Sequence, residues 1–131
     1  MLPLRYPWVW FIGGLVVMAV VLAGTLSPVV PSVDLWGLAN DKTMHALAFM
    51  ALMIWFCGVF RLPLTPLVGL GLLAFGALIE VLQGMLPYRS AEFRDLLADC
   101  VGIAAGWLLA LLGMRDWTRW IESLLPPRAE P

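Results

Sequence analysis

The ionisable residues of this chain are spread so unevenly that they leave few architectures open. Residues 6–33, 62–79 and 100–114 contain no acidic or basic side chain, and residues 43–60 contain only His45. A helix rises about 1.5 Å per residue, so each stretch, joined by a few flanking residues, approaches the roughly 30 Å hydrocarbon thickness of a bilayer. A soluble domain of 131 residues that is 62% hydrophobic and 13% charged could not cover its own apolar surface, whereas lipid makes covering unnecessary. The chain therefore reads as all-α and polytopic: a four-transmembrane-helix bundle over residues 1–113, then an amphipathic interfacial segment and mobile tail over residues 114–131.

Local signals place the spans near residues 8–26, 41–60, 66–86 and 93–113. Trp8 and Trp10 suit one interface, and Pro28 and Pro31 end the first helix. A connection over residues 31–40 carries Asp34 and Trp36 toward the other interface. Asn40 or Asp41 caps the second helix, and Thr65 followed by Pro66 reads as the cap and first turn of the third. Arg5 before an apolar run resembles a secretory leader, but further apolar segments follow, which favours an uncleaved first span. In the tail, Trp117, Trp120, Ile121, Leu124 and Leu125 recur at helical spacing, with Arg115, Asp116, Arg119 and Glu122 on other faces. That pattern suits a short helix lying on the membrane, or an extension of the fourth span.

Four spans put Arg5, Arg61, Arg115, Arg119 and Arg128 on one side and Lys42, Arg89 and Arg94 on the other. The bias places both termini in the cytoplasm. A net charge of −1 gives no footprint for nucleic acid. Cys57 and Cys100 are expected as two buried, reduced thiols. His45, Glu80, Asp95 and Asp99 offer nitrogen and oxygen ligands for a divalent metal, but no phosphate-cradling glycine loop, HxxxH or HExxH spacing is present, so neither a cofactor nor a metal is expected.

Ionisable groups inside apolar segments are costly and point to function. The alternating helix directions bring His45 near the start of the second helix, Glu80 near the end of the third, and Asp95 and Asp99 at the start of the fourth to one depth. Asp41 precedes His45 by one turn and can orient or charge its imidazole. Gly76 and Gln83 share a face with Glu80. Asp95, Asp99, Gly102 and Gly106 form one stripe, acidic toward the outside and glycine-lined deeper, where small residues let another helix approach. Lys42, Arg89 and Arg94 are the nearby cations. Such a layer can hold an anionic headgroup through arginine, or hydroxyl and amide groups through the acids. It can also pair a carboxyl with an imidazole for acid–base work.

The segment Asp41-Lys42-Thr43-Met44-His45-Ala46-Leu47-Ala48-Phe49 resembles the Asp-Lys-x-x-His-x-x-x-Phe opening of the second helix in VanZ-like bacterial membrane proteins. Glu80 with Gln83 is similar to that family's Glu-x-x-Gln, and Arg89, Asp95, Gly102 and Gly106 to its Arg-x-x-x-x-x-Asp and Gly-x-x-x-Gly. The resemblance runs over about residues 20–112. Asp99 stands where many relatives carry Asn, which adds a potential negative charge. The resemblance implies a bacterial inner-membrane protein of four spans, in a family without a defined biochemical activity.

Three functions compete at this stage. The first is recognition of a membrane lipid or lipid-linked envelope precursor by Asp41, Lys42, His45, Glu80, Gln83, Arg89, Arg94, Asp95 and Asp99. The second is an enzyme acting on a lipid-linked substrate, with His45, Glu80, Asp95 and Asp99 as catalytic candidates. The third is a structural role, in which the polar contacts and Gly76, Gly102 and Gly106 organise the bundle, a homo-oligomer or a membrane-protein partner.

Overall fold

A computed structural model describes residues 1–28 and 40–126. Among the described residues the chain is entirely helical: α1 is Pro7–Leu26, α2 Asp41–Cys57, α3 Thr65–Gly84, α4 Phe93–Leu111 and α5 Trp117–Leu124, with 3-10 turns at Leu62–Leu64 and Met114–Asp116. The connection expected over residues 31–40 lies, apart from Asn40, outside the described residues, as do Arg128 and the end of the tail.

Two stretches, Pro7–Leu26 and Leu62–Gly84, are long and apolar enough to cross a membrane. The bent pair Phe93–Leu111 and Met114–Leu124, at 82° to each other, makes a third if it is counted as one span. The partition of side chains is inverted relative to a soluble protein. Val9, Ile12, Val16 and Val20 form an exposed stripe on α1, and Leu67, Leu70, Leu78 and Val81 are exposed on α3. Meanwhile His45, Glu80, Gln83, Asp95 and Asp99 are buried. Exposed apolar stripes of this extent, with ionisable groups buried beside an apolar core, suit a lipid surrounding.

α2 is the centre of the bundle. Phe49, Leu52, Met53 and Phe56 of α2 pack with Leu72 and Ile79 of α3 and Ala110 of α4 in one core. α2 and α4 run parallel and close together because α4 offers glycines at its contact. A Cβ on Gly102 would collide with the backbone carbonyl of Ala46, and one on Gly106 with that of Met50. Each glycine advances four residues as its partner carbonyl does, so two successive turns are in register. Gly76 performs the same service on α3, where a Cβ would meet Asp99 Oδ2 and Phe49.

Several boundaries differ from expectation for identifiable reasons. α2 ends at Cys57, short of residue 60. Just beyond it, Thr118 Oγ1 donates to Gly58 O at 2.5 Å and Leu2 N to Val59 O at 2.7 Å, so the carbonyls that would continue the ladder are taken by tertiary donors. Thr65 is the first residue of α3 rather than its cap; its hydroxyl donates to Leu62 O at 2.8 Å and accepts from the Trp107 indole at 3.0 Å. Asn40, not Asp41, caps α2, its Oδ1 accepting from Thr43 N at 2.8 Å. α4 stops at Leu111, and Gly113 turns the chain at φ 122°, a conformation open to glycine at little cost. Cys57 is buried, but Cys100 is exposed on the outer surface of α4; both are free thiols. In α5, Thr118 and Glu122 are buried while Trp120 and Leu124 face outward, so Glu122 belongs to the packed face rather than the solvated one.

Candidate functional site

The C-terminal ends of α1 and α3 and the N-terminal ends of α2 and α4 meet at one end of the bundle, and the polar residues gather there. His45 Nδ1 lies 2.9 Å from Asp99 Oδ1, with both side chains at most 2% exposed. With the Asp99 carboxyl oxygen as acceptor, the proton of that bond sits on Nδ1, and Nε2 is left without a hydrogen-bond partner. Asp99, not Asp41, is therefore the group that orients the imidazole. Asp41 is exposed and makes no side-chain hydrogen bond or ion pair among the described residues.

Glu80 reaches from α3 to the start of α4, where its Oε2 accepts from Glu92 N at 2.8 Å. Glu92 is the cap position of α4 and its own side chain makes no capping bond, so Glu80 supplies an acceptor from another helix. Lys42 Nζ sits 3.0 Å from Glu92 Oε2 and 3.5 Å from Asp95 Oδ1. Gln83 Nε2 donates to Thr25 O at 3.0 Å, and Arg89 Nη2 to Ser27 O at 2.9 Å. Both thus bind carbonyls at the end of α1. Arg89 is spent on the backbone, and Arg94 is exposed without an ion-pair partner among the described residues. Thr43, a conceivable nucleophile, donates its hydroxyl to Asn40 Oδ1 at 2.9 Å and serves the cap instead.

The arrangement leaves a deficit. His45 Nε2, Glu80 Oε1, Gln83 Oε1, Asp95 Oδ1 and Asp99 Oδ2 are buried side-chain atoms without a hydrogen-bond partner. Asp95 Oδ1 has Lys42 at ion-pair distance only. Every buried polar side-chain atom of this kind among the described residues belongs to this one layer, and every one is an acceptor or can be one. Buried polar groups are ordinarily paired, and an unmade bond costs about 1–3 kcal/mol. A cavity of about 80 Å³, lined in part by Cys57, Arg61, Thr65, Trp107 and Arg115, lies elsewhere, toward the other end of α2. The unpaired acceptors, not that cavity, mark the candidate site.

A helical bundle with an apolar exterior and a buried, acceptor-rich polar layer defines a membrane protein. The family model described as VanZ/LLP1 matches residues 9–114, and the chain belongs to that family. No curated protein and no solved structure matches it.

Proposed function

We propose that the chain is a four-span protein of the bacterial inner membrane, with both termini cytoplasmic, that recognises a polar lipid or cell-envelope precursor group at this layer. The reading takes α2 and α4 as spans beside α1 and α3, and α5 as an interfacial helix carrying Trp120 and Leu124 into the headgroup region. The excess of arginine at the α5 end supports that orientation and makes the acidic layer outer-side. One observation carries the functional reading: five buried side-chain atoms able to accept, on three helices, have no hydrogen-bond partner in the protein, and Asp95 Oδ1 has only Lys42 at ion-pair distance.

The chemistry narrows the ligand class. With Arg89 bonded to Ser27 and Arg94 exposed, the layer offers carboxylates, an imidazole nitrogen and an amide oxygen. It suits a group rich in donors, an ammonium, hydroxyl or amide, better than a bare phosphate. Purified protein in detergent should be thermally stabilised by phosphatidylethanolamine or by a hydroxyl-rich lipid-linked precursor more than by phosphatidic acid. The response should vanish in Glu80→Gln and Asp99→Asn. An identical lipid response in wild type and both variants would reject the reading.

The His45–Asp99 pair supports a second reading. A carboxylate on Nδ1 with a free Nε2 is the arrangement of a general base, here acting on water bound to a lipid-linked substrate. Turnover of such a substrate by the purified protein, abolished in His45→Gln, distinguishes a hydrolase from a binding protein.

A further inference from the structure

One subset of the layer has the composition of a metal centre. A ring nitrogen of His45 and one carboxylate oxygen each of Asp41 and Asp95 lie within 4.8 Å of one another. We infer that Asp41, His45 and Asp95 form a binding site for a divalent transition-metal ion of the Zn²⁺ or Mn²⁺ type, with Asp99 as the positioning residue for His45.

Three features, drawn from α2 and α4, support this assignment. His45 is 3% exposed and Asp95 1%, yet His45 Nε2 and Asp95 Oδ1 have no hydrogen-bond partner. Buried lone pairs without a partner, on residues whose ligand atoms gather this closely, are what an ion would satisfy. Asp99 takes the other imidazole nitrogen at 2.9 Å, the outer contact that metal-bound histidines ordinarily make because it fixes the tautomer and ring angle. Asp41, the third ligand, is exposed and uncommitted, so its side chain is free to swing inward and contract the set around an ion. One imidazole and two carboxylates neutralise a dication and leave positions open for water or a ligand. The imidazole disfavours Mg²⁺ and Ca²⁺, which take oxygen donors. The sequence hides this site because only Asp41 and His45 share a helix, and their spacing of four reads equally well as an ion pair.

Lys42 is the competitor. Its ammonium lies 3.5 Å from Asp95 Oδ1, but its side chain is 43% exposed and also bonded to Glu92, so it can withdraw without leaving a buried charge. An ion and Lys42 exclude each other at Asp95, which makes Lys42 a diagnostic rather than an obstacle.

The inference does not depend on lipid recognition, and its test needs no lipid. Chelator-stripped full-length protein in detergent is titrated with Zn²⁺ by calorimetry, and with Co²⁺ by visible absorption, which reports nitrogen ligation. The expected result is one ion per chain. Affinity should fall at least tenfold in Asp41→Asn and Asp95→Asn, and rise in Lys42→Gln. Asp99→Asn should retain the ion but alter the Co²⁺ spectrum. Asp41 is exposed, so Asp41→Asn keeps the fold and the test survives if a His45 variant does not. Absence of stoichiometric binding, or equal affinity in wild type, Asp41→Asn and Lys42→Gln, overturns the proposal.

Discussion

Glu80 and Glu122 do related work at opposite ends of the bundle and are left in opposite states. Glu122, from α5, closes the start of α1: its Oε2 accepts from Arg5 N at 2.6 Å, and its Oε1 from Tyr6 N at 2.9 Å and the Trp10 indole at 2.8 Å. Around it, the rings of Trp10, Trp55 and Trp117 lie 4.9–6.3 Å apart. The Trp55 indole donates to Trp10 O and that of Trp117 to Ile54 O. Among the described residues, no buried side-chain acceptor at that end lacks a donor. Glu80 closes the start of α4 with one oxygen and leaves the other unpaired, as do its neighbours. A buried carboxylate whose bonds are all made is explained by the fold alone. One with a free lone pair, beside others like it, is not accounted for by the helix contacts alone, and the proposed ligand role starts there.

The contrast is most directly broken at Glu122. Glu122→Ala leaves two backbone N–H groups and an indole N–H without their acceptor, a cost of about 3 kcal/mol or more. It should give the largest loss of thermal stability of any single carboxylate change, while lipid or metal response in the folded fraction stays intact. A thermal melt in detergent, followed by the titrations above, measures both. A loss of ligand response with unchanged stability would mean that the two ends are not separate devices.

Gly102→Ala comes next. Its new methyl meets the Ala46 carbonyl and forces α4 off α2, at about 1–3 kcal/mol. Because the His45–Asp99 bond crosses the same helix pair, ligand response should fall together with stability, unlike in Glu122→Ala. Glu80→Gln should do the reverse. Its amide oxygen still accepts from Glu92 N, so stability should change by about 1 kcal/mol or less, while the response to donor-rich lipid disappears. If Glu80→Gln melts the protein as Glu122→Ala does, Glu80 is a structural cap and the layer loses a member.

How much of this was legible in the residue order divides along the same line. The helical, membrane-embedded class followed from the gaps between charges, because desolvation penalises every misplaced ion. The expectation that His45, Glu80, Asp95 and Asp99 share a depth came from alternating helix direction, and that of a close helix contact at Gly102 and Gly106 from helical spacing. Pairings across helices were not legible. That Asp99 rather than Asp41 holds His45, or that Arg89 turns to the Ser27 carbonyl instead of the acids, depends on rotation of each helix about its axis. Hydrophobic patterning fixes such rotation poorly when both faces are apolar. Glu122 was assigned to a solvated face for a related reason: in a short tail helix flanked by charges, the spacing of Trp117, Trp120 and Leu124 defines an apolar face. It does not reveal that exposed N–H groups of α1 await an acceptor on another face. The end of α2 also involves remote donors, Thr118 and Leu2, which take the carbonyls of Gly58 and Val59.

The smallest expected effect lies in acidity, and it tests the satisfied end alone. Burial by itself would push the Glu122 carboxyl up, but the bonds from Arg5 N, the Trp10 indole and Tyr6 N, with the Arg5 charge nearby, hold it below the ordinary value of 4.5. A carboxyl that is more acidic in the folded than in the unfolded chain stabilises the fold above the ordinary value, and that contribution drains away as pH falls through the lowered one. Wild type should therefore melt higher than Glu122→Gln near neutrality, and the gap should narrow as the pH is taken below about 4.5. Glu122→Gln replaces one of the two accepting oxygens by an NH2 group, so part of the gap is independent of pH, and the part that closes in acid, a few degrees, reads ionisation. A gap that persists unchanged into acid would show that the three donors recognise the shape of this side chain and not its charge. The comparison with Glu80 would then rest on the number of bonds made rather than on the charge they hold.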